Sequence, residues 1–186
     1  PTVNRSPLRP VACAVALAVA ARLARPVAAQ PHDHAAMSQD ARTQSNPFFA
    51  QSPLEYQYPQ FDRIRDADFA PAFDRGMAEH DAEIAKIADN PDAPTFDNTI
   101  LAMERSGQVL SRAAYVFFNL TGANTNDALN ALEATYAPKF AAHRDGVYLN
   151  DKLFARVKAL YEQRAGLGLD PQGLRLVEKY HEDFVR

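Results

Sequence analysis

From Asp66 onward the apolar residues return every three or four positions, and no stretch alternates long enough to demand a strand. Phe69, Phe73, Met77, His80, Ile84 and Ile87 trace one stripe along a first helix. Residues at that spacing share a helix face, so the stripe has to bury against a neighbour. The pattern predicts an all-α architecture, a row of antiparallel helices joined by short loops. His80, standing in the stripe, is expected to pack at the edge of the core rather than to bind a ligand.

Local signals divide the row. Asp66 or Asp68 can cap the first helix, with Pro71 in its early turns, and Asn90-Pro91-Asp92-Ala93-Pro94 breaks it. Thr95 or Asp97 caps a second helix with Ile100, Met103, Gly107, Leu110, Ala114 and Phe117 inward. Phe118 and Leu120 widen that face, which makes this helix the expected centre. Gly107 in mid-helix costs up to about 1 kcal/mol relative to Ala, so a neighbouring helix is expected to pass close there. Gly122 should stop the helix, and Thr125 or Asn126 should cap a third. The third carries Leu129, Leu132, Tyr136 and Phe140, and Pro138 should kink or split it. Asn150 caps a fourth, with Leu153, Phe154, Val157, Leu160 and Tyr161 inward, which ends at Gly166-Leu167-Gly168. Asp170-Pro171 opens a fifth with Leu174, Val177, Tyr180 (or His181) and Phe184 inward. No stop signal follows before Arg186, so the chain is expected to be a piece of a longer polypeptide.

The N-terminal segment has another character. Residues 1–29 hold four Arg (5, 9, 22 and 25) and no acid. Val11 to Ala21 is a short apolar run, well under the roughly 20 residues of a membrane-spanning helix. Val27-Ala28-Ala29 then offers small residues of the kind a signal peptidase reads. Residues 1–29 are therefore expected to be a signal peptide, and the protein periplasmic or secreted, with no membrane contact after cleavage. Cys13, the one cysteine, lies inside that run. Without the four Arg the balance is sixteen basic against twenty-three acidic residues, a net of −7, which argues against nucleic-acid binding. Residues 30–45 are polar and aperiodic and read as a disordered linker. His32 and His34 flank Asp33 there, but an i, i+2 pair in such a segment lacks the further ligands of a preorganised site.

Residues 46–62 combine three Pro with Phe48, Phe49, Tyr56, Tyr58 and Phe61. The Pro residues bias the chain toward extended backbone. An extended arm laid across the helices is expected, with the rings as anchors; a strip that binds an outside peptide is the alternative. Residues 63–186 would form the helical domain.

Catalytic patterns are incomplete. His-Glu-x-x-His places two imidazoles one turn apart on a zinc ion, with the Glu set to activate water. The chain has His181-Glu182, but Val185 stands where the second His belongs. His80-Asp81-Ala82-Glu83 and His143-Arg144-Asp145 fail as well, and no Gly-x-Ser-x-Gly occurs. Glu79 with Glu83 reads as a solvated acid pair. Asn119-Leu120-Thr121 matches a glycosylation triplet, expected to be fortuitous at a buried helix end. Gly122-Ala123-Asn124 lacks the glycine spacing and Lys of a phosphate loop.

A set of phrases in fixed order carries more information than any of these. Asn-Pro-Phe-Phe stands at 46–49, Pro-Thr-Phe-Asp-Asn-Thr-Ile at 94–100 and Leu-Thr-Gly-Ala-Asn-Thr-Asn at 120–126. Ala-Pro-Lys-Phe-Ala-Ala-His follows at 137–143, then Tyr-Leu-Asn-Asp-Lys-Leu-Phe-Ala-Arg-Val-Lys-Ala-Leu-Tyr at 148–161, and Gly-Leu-Asp-Pro before the stretch from Tyr180 to Arg186. Together they resemble the N-terminal helical part of bacterial peptidyl-dipeptidases, relatives of oligopeptidase A and thimet oligopeptidase. The resemblance implies a helical zinc metallopeptidase that releases C-terminal dipeptides from short unstructured peptides; the chain is expected to be a monomer. It implies a deep channel between two halves, with the present helices as one wall. It places the zinc ligands C-terminal to Arg186, so no residue here is assigned a catalytic, cofactor-binding or metal-ligating role. By itself this piece is expected to be inactive. The competing reading is a stand-alone periplasmic peptide-binding module without catalysis.

Overall fold

The computed structural model describes residues 46–186. The expected signal peptide and linker, with Cys13, His32 and His34, lie outside them. Among the described residues there are helices and no strand. Helix α1 spans Asp66–Ala88, a π-helical turn Phe96–Leu101 runs into the short α2 (Ala102–Arg105), and α3 spans Gln108–Ala123. Helices α4 (Asp127–Tyr148), α5 (Asp151–Gln163) and α6 (Pro171–Val185) complete the row.

Side-chain caps start most of these elements where the sequence places them. Thr95 Oγ1 accepts from Asn98 N at 3.0 Å, Asn126 Oδ1 from Leu129 N at 2.9 Å, Asn150 Oδ1 from Leu153 N at 3.0 Å and Asp170 Oδ1 from Gly173 N at 2.7 Å. Each satisfies a donor that the first turn leaves unpaired. At α1 the cap position is Arg65, and the acid contributes from inside: Asp68 Oδ2 accepts from Arg65 N at 2.8 Å. Pro71 lies in the second turn of α1, past the donors that are unpaired in any case.

Four sequence expectations are corrected. The second helix breaks in the middle: Ser106 is extended and Gly107 is left-handed at φ 66, where glycine avoids the Cβ clash, so α3 starts afresh at Gln108. The buried face of α3 is consequently Val109, Ala113, Val116 and Phe117, while Phe118 is exposed. Pro138 does not split α4, which runs unbroken from Asp127 to Tyr148. Gly122 does not stop α3 either; the helix passes it and is capped at Asn124. Asn119 is exposed rather than buried.

The apolar faces form two cores that share α1. In one, Phe69 and Phe73 meet Phe117 edge-on at 5.1 and 5.2 Å, with Phe140 edge-on to Phe73 at 4.9 Å. In the other, Ile84 and Ile87 pack with Ile100, Leu153, Val157 and Val177. Between the two, α1 and α3 touch at Gly76, where an added Cβ would sit 2.7 Å from both Cα and N of Leu110.

Arg156 sits on the same face of α5 as Leu153 and Leu160 and is only 7% exposed. Its guanidinium donates to the carbonyl oxygens of Asn90 and Asp92, to Asn98 Oδ1 and to Thr99 Oγ1, at 2.8 to 3.3 Å. A buried cation needs its donors filled; here it staples the Pro-rich connector after α1 onto α5.

Two glycine substitutions separate close packing from backbone freedom. Gly76→Ala should destabilise by about 1–3 kcal/mol, because Leu110 backbone has to move. Gly122→Ala, with open space around its Cβ position, should stabilise α3 by up to about 1 kcal/mol. Urea denaturation of both variants beside the parent checks the sign of each.

Candidate functional site

The fold brings together histidines that local spacing kept apart. His80 on α1 and His143 on α4 are 63 positions apart, and their facing nitrogens, Nδ1 and Nε2, lie 2.9 Å apart. Asp81 Oδ1 is 3.0 Å from His143 Nδ1. A single proton arrangement serves all three groups: His143 donates its Nδ1–H to the Asp81 carboxylate, and its bare Nε2 accepts from His80 Nδ1–H. The His143 side chain is 9% exposed, whereas that of Asp81 is 66% exposed, so the series runs from the interior to the surface.

The second turn of contacts comes from the break before α3. The His80 ring lies 3.1 Å from the place a Gly107 Cβ would occupy. The helix expected close to Gly107 is α1, which approaches through this ring. Gly107 N–H donates to Glu83 Oε2 at 2.7 Å. Glu83 is half-buried and caps α3, so it does not form the solvated pair with Glu79 that the sequence suggested; Glu79 binds Arg75 at 2.6 Å. A cavity of about 280 Å3 opens beside this cluster, bordered by His80, His143, Gly107, Glu104, Tyr148 and Tyr180. Tyr180 donates its hydroxyl to Glu104 Oε1 at 2.7 Å. Burial, then that hydrogen bond to a carboxylate, raises the Tyr180 phenol. Burial followed by the charge of Asp183 raises Tyr148 as well.

Burial also pushes His80 below the ordinary imidazole value, and the neighbouring His143 adds to this, against the smaller opposing pull of Glu83 and Asp81. In the neutral form His80 can hold its hydrogen bond to His143. The pair thus ties α1 to α4 and seats Gly107 at the start of α3. Its sequence signal was present: His143 falls on the stripe Tyr136, Phe140, Val147 just as His80 falls on its own.

His181 is elsewhere. Its ring stacks flat on Tyr161, with centroids 3.8 Å apart and planes 6° apart, and Arg164 covers a face of Tyr161 at 4.0 Å. Among the described residues no three of His, Cys, Asp or Glu gather as metal ligands. Glu182 is used in an ion pair, accepting from Arg175 at 3.1 Å.

The arm only partly anchors as its composition suggests. Asn46 and Phe48 are buried; Asn46 Nδ2 donates to the Asp68 carbonyl at 2.7 Å, and Phe48 lies 5.2 Å from Phe69. Arg75 covers Phe49 at 4.2 Å. Tyr56, Tyr58 and Phe61 are exposed instead of buried, and the arm turns through Glu55–Gln57 rather than running fully extended.

No family model matches the chain. It is similar to the protein named dipeptidyl carboxypeptidase of Salmonella typhimurium, 49% identical over 141 residues, and to that of Escherichia coli, 49% identical over 143 residues. The matched stretches make up 76% and 77% of this chain, and the chain spans 21% of the length of each relative. The relatives carry the name of a peptidase.

The lowered His80 gives a signed pH response. The unfolded chain takes up a proton on this side chain near pH 6.5 that the folded chain resists, so folding stability falls as pH drops below about 6.5. Urea midpoints at pH 7.5 and 5.5 should show that fall, and His80→Gln should lessen it. An equal fall in the variant would assign the effect to other groups.

Proposed function

We propose that the chain supplies the N-terminal helical part of a peptidyl-dipeptidase, a zinc metallopeptidase that removes C-terminal dipeptides from short unstructured peptides. The observation that carries this reading is the 49% identity, over 141 to 143 residues, to proteins named dipeptidyl carboxypeptidase. In this reading the described helices act as a wall of the peptide channel, and kinship extends to oligopeptidase A and thimet oligopeptidase. A periplasmic location and a monomeric state belong to the same proposal. The location is supported by the signal-like residues 1–29.

Zinc itself does not fit the residues described. Val185 replaces the second imidazole after His181-Glu182, and His181 is packed against Tyr161. The paired histidines His80 and His143 bring no third ligand. The zinc ligands of the proposal therefore lie outside the described residues, and no chemical step is assigned to any side chain here. What these residues contribute is shape: two apolar cores and a buried guanidinium pack the helices against one another.

The expected outcome in assay is a division of labour. The 186-residue chain should release no dipeptide from an N-blocked tripeptide, with or without added zinc. The product of the coding sequence extended past Arg186 should encode a His-Glu-x-x-His helix, release the dipeptide, and lose the activity to a chelator. Chelator-sensitive release by the chain itself, or an extension without that motif, would overturn the proposal.

A further inference from the structure

The facing imidazoles have the spacing of two ligands on one ion. His80 Nδ1 and His143 Nε2 lie 2.9 Å apart. Two imidazole nitrogens held about 2.05 Å from one ion, at a right angle, also stand about 2.9 Å apart. An ion can therefore replace the shared proton with little movement of α1 or α4.

Each ring can free the nitrogen that such an ion needs. Asp81 Oδ1 is 3.0 Å from His143 Nδ1. A carboxylate there keeps the proton on Nδ1, leaves Nε2 bare and makes it more basic, as outer-shell carboxylates do for ligating histidines. His80 has to carry its proton on Nε2 instead of Nδ1. Among the described residues Nε2 makes no hydrogen bond within the protein, and no buried side-chain nitrogen or oxygen lacks a partner. Nε2 therefore has accessible surface, and water can solvate a proton placed on it.

Room for further ligands adjoins the pair. The cavity of about 280 Å3 borders both rings. Gly107 puts no Cβ against the His80 ring, where one would lie 3.1 Å away, so that face is left free to tilt. No third protein ligand joins the two imidazoles. Glu83 Oε2 is taken by the Gly107 N–H and Glu104 Oε1 by the Tyr180 hydroxyl. The site suits an ion that accepts two imidazoles and completes its shell with water. Tetragonal copper(II) and nickel(II) meet that condition. Zinc, which takes three or four protein ligands, and the oxygen-bound ions magnesium and calcium do not.

We propose that His80 and His143 chelate a divalent transition ion of the copper(II) or nickel(II) type, which clamps α1 to α4, with water from the cavity as its other ligands. Asp81 is the positioning residue of this site. The site draws on α1 and α4 alone, so its failure would leave the peptidase reading untouched, and the converse holds too.

Copper(II) chloride is the probe, added at pH 7.5 to the full chain carrying His32→Asn and His34→Asn, because those two imidazoles can also take up copper. An ion that bridges two helices binds the folded chain and not the unfolded one, so the melting temperature should rise and level off near one equivalent. Electron paramagnetic resonance should show copper coupled to two nitrogens; His181, the remaining imidazole, can supply only one. His80→Gln and His143→Gln should each remove the rise. Asp81→Asn, at an exposed side chain, should weaken binding roughly tenfold or more. Magnesium chloride should give no rise. An unchanged melting temperature, a spectrum with one coupled nitrogen or none, or a full rise in either histidine variant would each overturn the proposal. Undiminished affinity in Asp81→Asn would overturn the role given to Asp81. Should neither histidine variant fold, the spectrum of the chain that keeps both histidines decides.

Discussion

The close approach of α1 and α3 at Gly76 sets most of the rest. With no Cβ at that position, the backbone of Leu110 comes into contact with the helix. Helices separated by a larger residue could not bring Phe117 edge-on to Phe69 and Phe73 at just over 5 Å. The same approach carries the start of α3 toward α1, so that Glu83 can cap it and His80 can pack on Gly107. Because α1 extends past this point in both directions, it contributes to both cores. A shift of α3 would therefore loosen the aromatic cluster and the histidine tie together.

What the sequence revealed was what short-range chemistry decides. Asn126, Asn150 and Asp170 cap their helices by bonds reaching three residues ahead, and such bonds are visible in a linear reading. Gly107 misled for a related reason. The series Met103, Gly107, Leu110, Ala114, Phe117 keeps helical spacing straight across the break, so periodicity alone cannot see that the helix restarts. A left-handed glycine resets the phase, and Val109, Ala113 and Val116 take the inward positions. Arg156 was hidden by the usual rule that charges face water. Its partners are mostly carbonyls and an amide of the connector at 90–99, which no local pattern pairs with α5.

The candidate site was illegible as a site although each member was seen. His80 and His143 were both set aside because neither has a second ligand within one helical turn. Spacing of that kind detects only motifs carried by one element. A pair contributed by two helices is decided by tertiary packing, and its trace in sequence is weaker: a histidine on each of two buried stripes. The arm shows the reverse error. Its five rings suggested five anchors, but Asn46 and the two Phe that follow Pro47 take the sites offered by Asp68, Phe69, Arg75 and Arg112. The later rings, beyond the left-handed turn at Tyr56 and Gln57, reach no such partners and stay in solvent.

The two polar clusters differ in how they spend their hydrogen bonds. In the series Asp81, His143, His80, three of the four imidazole nitrogens are engaged within the protein, and the His80 ring lies against Gly107. A general base needs a free lone pair within hydrogen-bond reach of its substrate. This tie spends three of those nitrogens on holding α1 to α4 and leaves the lone pair of His80 Nε2 unengaged. Arg112 is arranged otherwise. It gives two donors to one carbonyl oxygen, which fixes the plane of the guanidinium and ties the arm to α3. Among the described residues Arg112 thus anchors the arm on α3, as the histidine pair anchors α4 on α1.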